Sequence, residues 1–183
     1  PRTILMRQGK VMRIDKTEEV ISEYLSATRV PNVFYPNKAE RLGNGRVVIE
    51  NFFIEPSHPA TGQAVRFFLE VKLSETETTN LRADYSVSFM TEQGNRIFQL
   101  HSGHVDHDIE LKPGINRIAV QPDYLPLTPG KYYVNLWVGS GHLLYDWIPE
   151  AMTFIVEPGT FDPGVLIDNR GYPVVVNANW QSL

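Results

Sequence analysis

An all-β sandwich of immunoglobulin-like or jelly-roll type, preceded by a short strand pair and a helix, is what this sequence predicts. Three observations carry the expectation. From about residue 45 onward, short segments of alternating apolar and polar residues recur, with turn signals between them and no helical pattern intervening. Aromatic residues make up 11% of the chain, a share that suits a β-rich protein or a binding surface. Cysteine is absent, so 183 residues must hold themselves by a packed core rather than by a disulfide framework, and that length suffices for one.

The elements follow in order. Residues 3–6 and 10–14 read as two short strands joined at Gln8-Gly9. In Asp15-Lys16-Thr17-Glu18, Asp15 is placed to cap the first helical amides while Glu18 reaches back. The helix carries Val20, Ile21, Tyr24 and Leu25 on one stripe and ends before Pro31. A helix this short needs a surface to pack on, so residues 1–30 look like the tail of a domain whose body is missing. The start at Pro1-Arg2, with no initiator Met, agrees with a fragment of a longer protein. Residues 31–44, rich in Pro, Asn and charge and closed by Gly43-Asn44-Gly45, read as a linker. Residues 45–183 form the sandwich, with strands expected at 47–54, 64–73, 83–90, 96–101, 116–121, 131–139, 142–147, 153–157 and 174–180. The last of these, separated by the long loop 158–173, is free to pair with its own sheet or with that of a second chain.

Alternation assigns the faces. Val65, Phe67, Leu69, Val71 and Leu73 should face the core, as should Tyr85, Val87 and Phe89, Phe98 and Leu100, and Phe154 and Val156. The segment 131–138 stands apart: Tyr132, Val134, Leu136 and Val138 make its apolar face, yet its other face offers Tyr133, Asn135 and Trp137. Aromatic rings bracketing an amide match a sugar, whose C–H patches stack on rings while its hydroxyls need donors and acceptors. The same pattern also fits a second buried face packed on another sheet or a partner chain. In an immunoglobulin-like connectivity, 83–90, 131–139 and 142–156 share one sheet, and Ser86 and Ser88 join Tyr133, Asn135 and Trp137 on a groove floor. His101 and His104 form a weaker second tier of candidate contacts.

Several function classes are excluded or disfavoured. With 17 basic against 21 acidic residues and a net charge of -4, there is no nucleic-acid footprint. The apolar runs are too short to span a bilayer, no secretory leader is visible, and the cysteine-free composition is compatible with the cytoplasm. No phosphate loop is present, so the chain does not hydrolyse ATP by itself, and no nucleophile signature is found. The run from His101 to Asp108 matches neither a His-Glu-x-x-His helix nor a closed zinc site. No cofactor or metal is expected, and the chain is not expected to be an enzyme.

The order of features resembles the ATP-binding subunits of ABC transporters that export O-antigen polysaccharide, of the Wzt type. Met6-Arg7-Gln8-Gly9-Lys10-Val11 followed by Thr17-Glu18-Glu19-Val20-Ile21-Ser22-Glu23-Tyr24-Leu25 resembles the end of a nucleotide-binding domain. The stretch 62–73, Thr91-Glu92-Gln93-Gly94-Asn95-Arg96-Ile97-Phe98, the run 125–132, Met152-Thr153-Phe154-Ile155-Val156 and the closing Trp180 resemble the carbohydrate-binding domain of those subunits. The resemblance implies recognition of a lipid-linked O-polysaccharide, often at its non-reducing end. It further implies a homodimer, a transmembrane subunit as partner and a cytoplasmic location at the inner face of the inner membrane. The catalytic body of the ATPase is missing, and no binding residue is carried over by motif.

Overall fold

The computed structural model describes residues 2–7, 9–17, 19–21, 24, 30–36, 39–105, 109–161, 165–168, 171–178 and 181. It separates into two compact units, Pro1–Pro31 and Asn32–Leu183.

In the first unit, β1 (Arg2–Arg7) and β2 (Lys10–Lys16) form an antiparallel hairpin that pairs Ile4 with Ile14 and Met6 with Val11. Gly9 makes the turn at φ 76°, a left-handed conformation that glycine adopts without strain. Ile4, Met6, Val11, Met12 and Ile14 are exposed. Thr17, Glu19, Val20, Ile21 and Tyr24 are helical, while Glu18 and Leu25 of the expected cap and stripe lie outside the described residues. The Asp15 carboxylate accepts from Arg13 and from the Lys16 amide.

The second unit contains β3 (Val47–Glu55), β4 (Arg66–Leu73), β5 (Leu81–Arg82), β6 (Asp84–Met90), β7 (Arg96–His101), β8 (Glu110–Leu111), β9 (Gly114–Val120), β10 (Gly130–Ser140) and β11 (Leu143–Val156). One antiparallel layer has the order β11-β10-β6-β7, the facing layer has β3-β4-β9, and β5 pairs with β8. This is the all-β sandwich that the sequence predicts. Its core comes from the positions alternation assigns: Phe67, Leu69, Val71, Val87, Phe89 and Phe154 are all within 2% of complete burial. Phe67 of one layer meets Phe89 and Phe154 of the other at ring-centroid distances of 5.4 and 6.0 Å, which ties the layers together.

Three expectations are corrected. Segments 142–147 and 153–157 are not two strands but parts of β11, which continues through Pro149 by way of a bulge. Proline has no N–H for the ladder and reads as a break, whereas a bulge tolerates it. No strand spans the described part of 174–180: Val174 makes a single bridge to Leu127, Val175 donates to the Pro126 carbonyl, and Trp180 lies outside the described residues. The segment read as a linker is fastened along the outer edge of β11. Asn32 and Tyr35 donate to the carbonyls of Thr153 and Ala151, both at 2.7 Å, and Leu42 exchanges backbone bonds with Trp147.

Beneath that edge lies a buried acid. Asp146 accepts from Arg41 Nε at 2.7 Å, from Arg41 Nη2, and from the Ile49 amide at 2.7 Å; Arg41 Nη2 also reaches the Ile49 carbonyl. A carboxylate at 3% exposure needs such partners, and these join β11, β3 and the edge segment.

Candidate functional site: a trough on the outer face of the four-stranded layer

Strand register places the candidate side chains in rows across the outer face of the sheet. Trp147 lies opposite Trp137, Trp137 opposite Ser86, and Ser86 opposite His101, one residue from each of the four strands. The next row is Asn135, Ser88 and Gln99. Tyr133 and Met90 begin a third. In the first two rows a serine on β6 stands between larger neighbours on β10 and β7. Small residues flanked by large ones make a trough whose floor is the serines, and this is why Ser86 and Ser88 are only 3% and 4% exposed.

The rings lean over that floor. His101 stacks on Trp137 at 5.6 Å between centroids, and His104 stacks on His101 at 4.8 Å. The Trp137 benzo ring also covers Gly139, where an added Cβ would lie 2.5 Å from Cζ2; a glycine is required for the indole to lie along its own strand. His101 Nδ1 accepts from the Gly103 amide at 2.9 Å, so the neutral ring carries its proton on Nε2. Burial and the adjacent His104 hold its pKa below the usual imidazole value, against an opposing pull from Asp84.

The floor is already hydrogen-bonded. Gln99 Nε2 donates to Ser86 Oγ at 2.6 Å, and the Ser86 and Ser88 hydroxyls are 3.2 Å apart. Arg96 Nη1 in turn donates to Gln99 Oε1 at 3.3 Å. The two serines therefore act mainly as space-making residues, with Gln99 presented above them.

The trough has two halves. One, of ≈ 220 Å³, is lined by Trp137, Trp147, Asn135, the serines, Gln99, His101 and Arg96. The other, of ≈ 400 Å³, is lined by Tyr133, the 90–94 turn, Trp147, Asn135, Pro149 and Glu150. Asn135 and Trp147 belong to both and make the halves continuous. Lys131 Nζ sits 5.0 Å from the Tyr133 ring centroid and 3.7 Å from Glu92.

Asn135 does more than sequence reading foresaw. Between the pairs Val134–Met152 and Leu136–Ile148, Pro149, Glu150 and Ala151 together stand against Asn135 alone. The Glu150 amide, displaced from the ladder, donates to Asn135 Oδ1 at 2.8 Å. Glu150 itself has φ 47°, a conformation that costs a non-glycine residue about 1–2 kcal/mol.

Of the seven predicted residues, the trough unites Tyr133, Asn135, Trp137, Ser86, Ser88 and His101. His104 touches it only through His101 and lines an apolar cavity of ≈ 410 Å³ with Tyr85, Leu100, Ile109 and Ile118, which shares Gln99 and His101 with the trough. Burial raises the pKa of the Tyr85 phenol, whose hydroxyl has no hydrogen-bond partner among the described residues. Asp106, His107 and Asp108 lie outside the described residues, and among those described no three His, Asp or Glu side chains are grouped to hold a metal. Gln99, Arg96 and Glu150 are not among the residues the sequence singles out, whereas Trp147, just after Tyr145 and before Pro149, is legible there as a ring able to stack on a ligand or to close the end of the core. Alternation within 96–101 already turned Gln99 away from Phe98 and Leu100; the placement of Glu150 depends on the bulge and has no counterpart in the pattern.

Comparison with known proteins adds three findings. A search of curated proteins finds no match. The solved structure titled "Crystal structure of the C-terminal domain of wzt" superimposes with a TM-score of 0.59 at 15% identity, covering 85% of this chain and 98% of that one, a likeness of fold alone. The family model described as the Wzt C-terminal domain matches residues 38–167, a span that contains every residue lining the trough and most of the sandwich. On that match, which covers well over half of the sequence, the chain belongs to the Wzt C-terminal domain family.

Proposed function

We propose that the sandwich is a non-catalytic carbohydrate-binding module that recognises a lipid-linked O-antigen polysaccharide, near its non-reducing end, for export by an ABC transporter. The observation that carries this reading is the row Trp147–Trp137–Ser86–His101, which opens a trough with aromatic walls and amide-bearing neighbours on the outer face of a rigid sheet. A pyranose offers apolar C–H faces for Trp137, Trp147 and Tyr133, and hydroxyls for Asn135, Gln99 and His101 Nε2. Family membership supports the same reading. The residues 1–31 unit, with its exposed apolar hairpin, fits the end of a nucleotide-binding domain. A homodimer, a transmembrane partner subunit and a cytoplasmic position at the inner membrane belong to this proposal. Among the described residues, no helix is long and apolar enough to cross a membrane.

Shallow, wet sites of this kind give roughly micromolar to millimolar affinity. Calorimetry with fragments of the source cell's own O-polysaccharide tests the reading. Wild-type protein should bind and leave the polymer length unchanged, and Trp137→Ala should lose about tenfold in affinity, about what one stacked ring contributes. A folded Trp137→Ala variant that binds unchanged removes that residue from the site. A wild-type protein that is silent on a broad glycan array and on these fragments would make the aromatic face a protein interface instead.

A further inference from the structure

We infer that the glycan site continues past the two halves of the trough into a third compartment near the start of β10, where Tyr172 stacks on a further sugar unit of the same polymer. The inference rests on the carbohydrate reading above and deepens it. Trp137, Asn135, Tyr133 and Lys131 are alternate residues of β10 and share its outer face. From the first to the last of them the strand rises roughly 20 Å, well beyond the length of one pyranose ring. Past Tyr133 lies a cavity of ≈ 490 Å³ that shares Thr91, Glu92 and Gln93 with the second half of the trough and is lined further on by Lys131, Tyr172 and Pro173. Tyr172 and Pro173 lie beyond residues 38–167, so this wall is built from sequence outside the family match.

The walls of this compartment are fixed before any ligand arrives. Thr91 closes the turn that leads to Asn95: its amide donates to the Asn95 carbonyl at 2.8 Å, and its carbonyl accepts from the Gly94 amide at 2.9 Å. Tyr172 is pinned through its backbone. Its carbonyl accepts from the hydroxyl of buried Thr128 at 2.7 Å, and the Thr128 amide donates to the Pro173 carbonyl at 3.0 Å. Tyr172 nevertheless stays 42% exposed. An exposed aromatic residue on a pinned backbone beside a cavity suits stacking on the C–H face of a sugar, and little ordering remains to be paid on binding. Lys131 stands at the crossing from the trough, its ammonium 3.7 Å from Glu92 and 5.0 Å from the Tyr133 ring centroid. That ion pair balances its own charge, so the crossing presents hydrogen-bonding groups to sugar hydroxyls rather than a net field. The occupant is a unit linked to the one in the trough, because the compartment adjoins the trough along shared residues and a polymer has a further unit to place there.

The test uses the full chain and fragments of the source cell's O-polysaccharide graded by length, with binding read by calorimetry. Wild-type affinity should rise about tenfold as fragments lengthen past those that fill the two halves of the trough, and then level off. Tyr172→Ala should melt with wild type, bind short fragments as wild type does and lose the rise with length. Tyr172→Phe, which keeps the ring, should retain it. If wild-type affinity does not depend on length, or Tyr172→Ala matches wild type at every length, the third compartment is overturned; a Trp137→Ala variant that still weakens binding then shows that the trough stands. A loss in Tyr172→Ala shared equally by short and long fragments assigns the ring to the fold and overturns the inference as well. If wild type binds no fragment of any length, the carbohydrate reading falls and this inference with it.

Discussion

At the scale of single residues, what decides the site is which side chains the sheet leaves large and which it makes small. Ser86 and Ser88 are legible in the sequence as outward residues of β6, but their part is steric: they leave room for the Trp137 and His101 rings to meet above them. Alternation shows where a side chain points, not whether its neighbours will cover it, so the hydroxyls expected to meet a ligand are instead bonded to each other and to Gln99. His101 gives a pH prediction. Its folded pKa is depressed by burial and by His104, so the unfolded chain takes up the proton first as pH falls. The contribution of neutral His101 is therefore complete above the ordinary imidazole value and is lost as pH drops through the folded one. Titration followed by imidazole NMR should place His101 below a model peptide; a midpoint at or above the peptide's would contradict the packing described for it. Protonation of Nδ1 removes the acceptor of the Gly103 amide over the same range, and on the carbohydrate reading proposed above glycan affinity should fall with it.

At the scale of elements, β11 is where sequence and structure part. Pro149-Glu150 looks like an ending because a proline inside a ladder forfeits a bond, and nothing local announces that Asn135, on the neighbouring strand, will receive the displaced amide. Such a contact is cross-strand information, invisible to a pattern read along one segment. The same holds for Arg41 and Asp146, whose partnership spans 105 residues of sequence. Removing one member of a buried pair strands the other, so Asp146→Ala should cost about 3–5 kcal/mol in urea unfolding. Replacing both residues, as Arg41→Met with Asp146→Leu, should recover most of that loss. Equal destabilisation by the single and double variants would mean that the clamp acts through something other than charge pairing.

For the molecule as a whole, the sandwich class, the core and the groove strand were readable because each rests on period-two alternation over six residues or more. The edge segment 32–42 was not, since it joins β11 through separate bridges rather than a continuous ladder, and composition alone makes it a linker. The distinction bears on where the sandwich can be cut. A chain begun at residue 45 loses Arg41 and uncovers the β11 edge, leaving Asp146 unpaired and a row of ladder groups open to other chains. It should melt lower and scatter more light than a chain begun at residue 32. Indistinguishable behaviour of the two would show that the segment is dispensable to the sandwich.

The lacing of residues 32–42 has a mechanical side. A tug on the chain just ahead of Asn32 arrives first at the Thr153 and Ala151 carbonyls, the fastenings on the β11 residues that follow Glu150. Tension from upstream would thus slacken one wall of the trough before it disturbed the aromatic core, and on the carbohydrate reading proposed above it would loosen the hold on a ligand.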